Sequence, residues 1–273
     1  MSATEIVLDS GIAMPAIGFG CYQIDDAEMD TVIAHAAAVG YRGFDTASAY
    51  GNEAALGRAL ASCGVPREQL FVTTKVANED QGYRSTLDAV RASADRLRLD
   101  YLDLVLVHWP APRRGEYLQT WRALEQLHND GFVRAIGVSN FQSEQLHRLV
   151  EAATVTPAVN QIEVHPLLTQ HALRDLHRRL GIRTQAWAPL ARGKLRGQPV
   201  LATIAARLGV TPEQVVLRWH LQIGTVPLPK SSTLSRISEN LEVFGFQLTA
   251  ADMDAITALN RNQRTGPHPD DVD

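Results

Sequence analysis

Short apolar runs alternate along this chain with longer stretches in which apolar residues recur at helical spacing. Runs of the first kind, bounded by turn residues, read as buried strands, and the second spacing is that of an amphipathic helix. The pattern opens with a hairpin: residues 6–8 and 12–14 form short strands around Asp9-Ser10-Gly11. Strand and helix then alternate: 16–20 with 26–39, a strand ending at Phe44 with 52–62, 70–75 with 83–97, and 102–107 with 116–129. The alternation continues as 133–138 with 143–152, 158–161 with 169–179, 183–187 with 198–208 and 212–221, and 225–228 with 233–241, before a last helix over 250–259.

Eight strand-then-helix units at roughly 30-residue spacing imply a parallel sheet, because parallel strands need long crossovers. Eight units in about 250 residues suit an α/β fold of the closed (β/α)8 TIM-barrel type, here with an N-terminal β-hairpin and extra C-terminal helices. The alternative is an open doubly wound sheet, but Gly18-Phe19-Gly20 lacks the third glycine of a dinucleotide fingerprint. No linker or low-complexity stretch divides the chain, so residues 1–273 are expected to form one domain. Its end, from about 261 to 273, is polar and Pro-rich and is expected to be mobile.

Composition narrows the partners. Apolar residues make up 45% and charged residues 21%, as in ordinary globular domains, and the net charge of -4 provides no basic field for nucleic acid. Cys21 and Cys63 alone give neither a metal spacing nor a disulfide framework. The start, Met1-Ser2-Ala3-Thr4-Glu5, lacks the parts of a signal peptide, and no apolar run approaches the ~18 residues of a membrane span. A cytoplasmic monomer without nucleic-acid or membrane partners is the expectation. Among 26 cations only Lys75, Lys194 and Lys230 are lysines, so a retained Lys is informative: it is a compact charge with a tunable pKa.

The polar residues that end the strands are the candidate chemistry. Gly43-Phe44-Asp45 runs into Tyr50, Leu70-Phe71-Val72-Thr73-Thr74 ends on Lys75, and Leu102-Asp103-Leu104-Val105-Leu106-Val107 ends on His108. In a parallel barrel these ends share one rim, where such folds keep their active sites. Singly, each residue also fits a structural part: a satisfied buried acid, a helix-start aromatic, a loop histidine. Their coincidence at three consecutive strand ends favours a proton-donating set. A free phenol has a pKa near 10, and bringing it near 7 takes about 4 kcal/mol. A cation ~4 Å away supplies that much at an effective dielectric near 20, so Lys75 is expected to lower Tyr50 toward neutrality. Asp45 would hold Lys75 protonated, and His108 would hold a substrate oxygen that gains negative charge, such as a carbonyl accepting hydride. A Schiff-base lyase using Lys75 and a non-catalytic nucleotide-binding barrel are the rival readings.

Other chemistry is poorly supported. Gly137-Val138-Ser139-Asn140-Phe141 lacks the second glycine of a nucleophile elbow, and neither a P-loop nor an H-E-x-x-H metal motif occurs, so no metal is expected. His171 and His177, six apart, read as surface residues. A second site is suggested by Pro229-Lys230-Ser231-Ser232 after the eighth strand, with Arg236 six residues beyond Lys230. Late loops of such barrels bind phosphate, although a capped helix with a solvated basic face accounts for these residues equally well.

Several motifs in order resemble the aldo-keto reductase superfamily over nearly the whole chain. They are Gly43-Phe44-Asp45-Thr46-Ala47 through Tyr50-Gly51-Asn52-Glu53, Leu106-Val107-His108-Trp109-Pro110, Gly137-Val138-Ser139-Asn140-Phe141, Asn160-Gln161-Ile162-Glu163, Pro229-Lys230-Ser231 and Arg236-Ile237-Ser238-Glu239-Asn240. The resemblance implies NADPH as cofactor and reduction of a small carbonyl substrate, with Tyr50 as general acid, Asp45 and Lys75 as its activators and His108 orienting the substrate. It implies that Ser139, Asn140 and Gln161 hold the nicotinamide carboxamide and that Trp187 stacks on the ring. By the same resemblance Leu190 and Gly193 cover the pyrophosphate, Lys230, Ser231 and Arg236 clamp the 2′-phosphate, and Glu239 and Asn240 lie near the adenine. Tyr22 and Trp109 correspond to apolar walls of the substrate pocket. In Trp187 the chain is similar to bacterial 2,5-diketo-D-gluconate reductase-like members, which implies small dicarbonyls, keto esters or keto sugars as substrates; the loop 110–115 and the C-terminal tail are shorter than in animal relatives, which implies a more open site.

Overall fold

The computed structural model describes residues 5–8 and 11–273. Asp9 and Ser10 of the expected hairpin turn lie outside the described residues. The strands of the hairpin are β1 (Glu5–Val7) and β2 (Ala13–Pro15), paired antiparallel.

The remaining strands are β3 (Phe19–Gly20), β4 (Gly43–Asp45), β5 (Phe71–Val76), β6 (Leu102–Val107), β7 (Val133–Ser139), β8 (Val159–Glu163), β9 (Arg183–Trp187) and β10 (Val226–Pro227). They form an eight-stranded sheet in sequence order, and every pair is parallel. Gly18 N donates to Pro227 O at 3.1 Å and Gly20 N to Pro229 O at 3.0 Å, which brings the first strand against the last and closes the barrel. Between the strands run α1 (Asp26–Val39), α2 (Glu53–Ser62), α3 (Tyr83–Leu97), α4 (Tyr117–Asn129), α5 (Ser143–Ala152) and α6 (His171–Arg179). After β9 come α7 (Pro199–Leu208) and α8 (Pro212–Gln222), and after β10 come α9 (Leu234–Leu241) and α10 (Ala250–Thr257).

Alternation along each strand sorts side chains between two layers. In β6, Val105 and Val107 pack toward the helices, in a cluster with Ile136, Val138, Leu124 and Trp121. Leu104 and Leu106 point the other way, into a smaller interior cluster with Phe71, Ala135, Val159 and Val226. Leu8 and Met14, from the hairpin, belong to that interior cluster, so the hairpin plugs the barrel at the start of its strands. Polar side chains such as Asp45, Lys75 and Gln161 gather instead at the far end of the strands. Gly137 on β7 is needed for this packing: a Cβ there would lie 2.7 Å from both Leu106 Cδ2 and Val159 O.

The C-terminal segment, whose composition predicts mobility, makes contacts along its length. Thr265 bonds to Glu163, Asp270 to Gln145, and Asp273 to both the backbone and the guanidinium of Arg113. Polar and proline-rich residues dock here because β8 and the loop after β6 offer them specific acceptors and donors. His177, expected at the surface, is fully buried instead: its ring bonds Asn160 Nδ2 on β8 and Thr184 Oγ1 on β9, fixing α6 to the barrel. No single helix among the described residues is long and apolar enough to cross a membrane.

Candidate active site

Lys75 sits at the end of β5 with its side chain inside the barrel rim, 1% exposed. An ammonium so buried needs a counter-charge and full hydrogen bonding. It has both. Nζ donates to Asp45 Oδ1 at 2.6 Å, to Thr46 O at 2.8 Å and to Tyr50 Oη at 3.4 Å, which uses all three of its protons. Asp45 ends β4, next to β5, and its other oxygen accepts from Gln161 Nε2 on β8 at 2.7 Å. Tyr50 follows in the short 3-10 turn Ser48–Tyr50, which Ser48 ties down by donating to Lys75 O. Burial pulls the Lys75 pKa down, but Asp45 and Tyr50 more than offset it and hold the pKa above the ordinary value. A protonated amine with no free N–H cannot attack a carbonyl, so this geometry speaks against a Schiff-base lyase.

The expected neutral-range phenol is not what the structure gives. Burial pushes the Tyr50 pKa above 10; Lys75 pulls it back, and Asp45 pushes it up again. The Coulomb argument from sequence had the sign of the lysine effect right and omitted desolvation. Tyr50 is therefore a neutral O–H at physiological pH, the form from which a proton can be given. Lys75 does not ionise it beforehand, and at 3.4 Å its ammonium is placed to stabilise a phenolate should the proton leave.

The remaining aromatic groups surround this hydroxyl. The His108 ring centroid is 5.7 Å from that of Tyr50, edge to face, and Tyr22 lies 4.9 Å from Tyr50 on another side. Trp109 stacks at 6.1 Å from His108, and Gln81 Nε2 holds its carbonyl. Burial and the nearby Lys75 charge push the His108 pKa down to about 3, so the imidazole is neutral and presents one N–H. No hydrogen bond joins that ring to the described residues. We expect the His108 ring signals in NMR to stay unchanged from about pH 5 to about pH 8, with no inflection near the free-imidazole value of about 6.5; a titration there would contradict the assignment.

Beside this set lies a shelf of amides. Asn140, which adopts a left-handed backbone at φ 65°, directly follows β7. Its Nδ2 donates to His108 O at 3.0 Å and Ser139 Oγ at 3.1 Å, and its Oδ1 accepts from Trp187 Nε1 at 2.8 Å. Ser139 Oγ donates to Gln161 O. Gln161 gives its amide protons to Asp45 and to Gln185 Oε1, leaving its own side-chain oxygen without a donor among the described residues. Such a shelf fits a planar carboxamide, whose NH2 would meet that oxygen.

Leu190 and Gly193 lie after β9, in a loop where Ala188, Ala191, Arg192 and Gly193 all have φ near +50° or above. Lys230 and Ser231 follow β10, at the barrel seam beside Gly20, and Arg236 is on the exposed face of α9. Neither Lys230 nor Arg236 pairs with a carboxylate among the described residues, so both charges remain available to an anion. Glu239 is partly buried and its carbonyl is held by Gln214; Asn240 is buried on the inner face of α9.

Three contributors escaped the sequence reading: Thr46, whose carbonyl binds Lys75, Gln185, and the acid Glu163. The last two lie on strands β8 and β9 at inward positions, and the alternation of Gln161 with Glu163, or Gln185 with Trp187, is the signal that could have flagged them.

A parallel barrel with an ammonium, a phenol and a neutral imidazole at its C-terminal rim, beside an amide shelf and a basic loop left unpaired among the described residues, defines a class of barrel site able to give a proton to an oxygen that gains negative charge. Residues 16–261 match the model of the Aldo/keto reductase family, and the chain belongs to that family. It is 48% identical over 268 residues to a glyoxal reductase of Bacillus subtilis (98% of this chain, 96% of the relative). It is 47% identical over 265 residues to an aldo-keto reductase of Mycolicibacterium smegmatis (97% and 96%). Among solved structures, a variant of Gox0644 in complex with NADPH superposes with a TM-score of 0.95 at 43% identity, covering 100% of both chains.

Proposed function

We propose that this protein reduces aldehydes and ketones to alcohols with NADPH, and that small dicarbonyls, keto esters and keto sugars such as 2,5-diketo-D-gluconate are its substrates. The observation that carries the reading is the Lys75 ammonium, 2.6 Å from Asp45 and 3.4 Å from the Tyr50 hydroxyl, with the neutral His108 ring alongside. The NADPH complex of Gox0644 supports the cofactor, and the glyoxal reductase supports small dicarbonyls.

When bound, NADPH supplies hydride to the carbonyl carbon. Everything else is done by side chains. Ser139, Asn140 and Gln161 would hold the carboxamide and Trp187 would floor the ring. Leu190 and Gly193 would cover the pyrophosphate, Glu239 and Asn240 would serve the adenine, and Lys230, Ser231 and Arg236 would take the 2′-phosphate. Tyr22 and Trp109 wall the substrate. His108 donates its N–H to the carbonyl oxygen and sets it beside Tyr50. Tyr50 passes its proton to that oxygen as negative charge grows on it, and Lys75 steadies the phenolate until solvent reprotonates it.

The direct test is NADPH consumption by the purified protein over aldehydes, diketones, keto esters and keto sugars. Turnover with dicarbonyls and keto sugars is expected, and no consumption with any carbonyl would reject the reading. For the clamp, Arg236→Ala should weaken NADPH by at least about ten-fold, the worth of one charge-assisted hydrogen bond, and leave NADH nearly untouched. Equal weakening of both, measured by fluorescence titration, would count against it.

A further inference from the structure

The C-terminal segment is fastened to the barrel by an acid that the proposed chemistry does not use. Glu163, at the end of β8, is fully buried. One of its oxygens accepts from Thr265 N and Thr265 Oγ1, each at 2.5 Å, and from Gly266 N at 3.3 Å. His165 Nε2 lies 3.1 Å from the same oxygen, and Arg264 Nη1 lies 3.7 Å from the other. A lone buried carboxylate is costly, and this one is stabilised by donors that come mostly from the tail.

The next residue reaches the site. A Cβ built on Gly266 would lie 2.5 Å from Trp187 Cη2 and 3.2 Å from Cζ3, so the strap backbone passes closer to the indole than any other residue type allows. Gly266 is not in the left-handed region, so the absent side chain is required by the indole and not by the backbone. The opposite edge of that indole donates Nε1 to Asn140 Oδ1 at 2.8 Å. Trp187 is thus held between the strap and the amide shelf, and Asn140 in turn bonds the backbone of His108.

We infer that Glu163 is a positioning residue: it anchors the 264–266 strap, and the strap fixes the Trp187 indole as the floor of the nicotinamide site. The inference rests on the NADPH reading above for the identity of the ring that Trp187 receives. With the anchor removed, the strap no longer backs the indole, which keeps only its bond to Asn140 on that shelf, so the floor is less preorganised and binding carries part of the cost of ordering it.

Two substitutions attack the device from opposite ends. Glu163→Gln removes the charge and leaves one acceptor oxygen: if that oxygen stays with Thr265, the NH2 group faces Arg264 and Gly266 N, and if it does not, the NH2 group faces the Thr265 donors. Gly266→Ala leaves the anchor untouched and presses a methyl group into the indole. Each is measured for tryptophan fluorescence of the free protein, with the same variant in a Trp187→Phe background subtracted to isolate Trp187, and for NADPH Kd. Both are expected to change the Trp187 emission and to weaken NADPH by about ten-fold, with Glu163→Asp restoring part of the loss. Gly266→Ala keeps the test sound should Glu163→Gln fold poorly, because it removes no buried interaction. Unaltered Trp187 emission and a wild-type Kd in Gly266→Ala, or in a folded Glu163→Gln, would overturn the inference. Failure of the wild-type protein to bind NADPH would instead overturn the function reading, and the emission of the free protein would still decide whether Glu163 positions Trp187.

Discussion

Replacing Tyr50 by Phe is expected to lower kcat by at least ~100-fold, the usual worth of a positioned proton donor, while the Kd for NADPH stays at its wild-type value. The substitution removes one oxygen and little else. The ring keeps its contacts with Tyr22 and His108, and Lys75 keeps Asp45 and Thr46 as hydrogen-bond partners. Stability should therefore change little, and the loss should fall on the chemical step. Stopped-flow and binding measurements on the same preparation separate the two. A variant that turns over at near the wild-type rate, or one that loses NADPH affinity in parallel, would show that the hydroxyl has another role.

Lys75→Met should damage both rate and fold. The ammonium lies 3.4 Å from the phenol oxygen, and stabilisation of a phenolate at such a distance is worth about 5 kcal/mol at an effective dielectric near 20, or roughly 10³–10⁴ in rate. The same change strips the buried Asp45 of its counter-charge and leaves Gln161 Nε2 as its remaining side-chain donor. Breaking a buried pair from one side typically costs about 3–5 kcal/mol. The double variant Asp45→Asn with Lys75→Met removes the orphaned charge as well, so denaturant unfolding should show much of the stability returning while the rate does not. A single variant as stable as wild type, or a double variant that recovers activity, would contradict the account.

The parts of this molecule that could be read from sequence are those in which local pattern and chemistry coincide. The strands ending at Asp45, Lys75 and His108 were visible because each apolar run closes on a group that has no reason to be in a core, and parallel topology then forces those ends together. Lys230 stood out because lysine is scarce in this chain, and the structure leaves it without a carboxylate partner among the described residues. What stayed hidden depends on partners distant in sequence. Asp45 and Gln161 are 116 residues apart, and their bond across the barrel follows from closure, which no local window contains. His177 was placed at the surface from its spacing to His171, whereas its burial is decided by Asn160 and Thr184 on strands that α6 covers. The docked tail was unreadable for the same reason: its anchor, Glu163, precedes Thr265 by 102 residues. The pKa of Tyr50 was misjudged because a charge can be counted in a sequence and desolvation cannot.

The central claim is that a neutral phenol, backed by a buried ammonium, protonates a carbonyl oxygen while its carbon takes hydride from NADPH. A single-turnover reaction with NADPH carrying deuterium at both positions of nicotinamide C4, with mass analysis of the product, tests it most directly. The account predicts one deuterium on the former carbonyl carbon, and the same label formed more slowly by Tyr50→Phe. Product without label, or a substrate adduct on Lys75 trapped by borohydride, would contradict it.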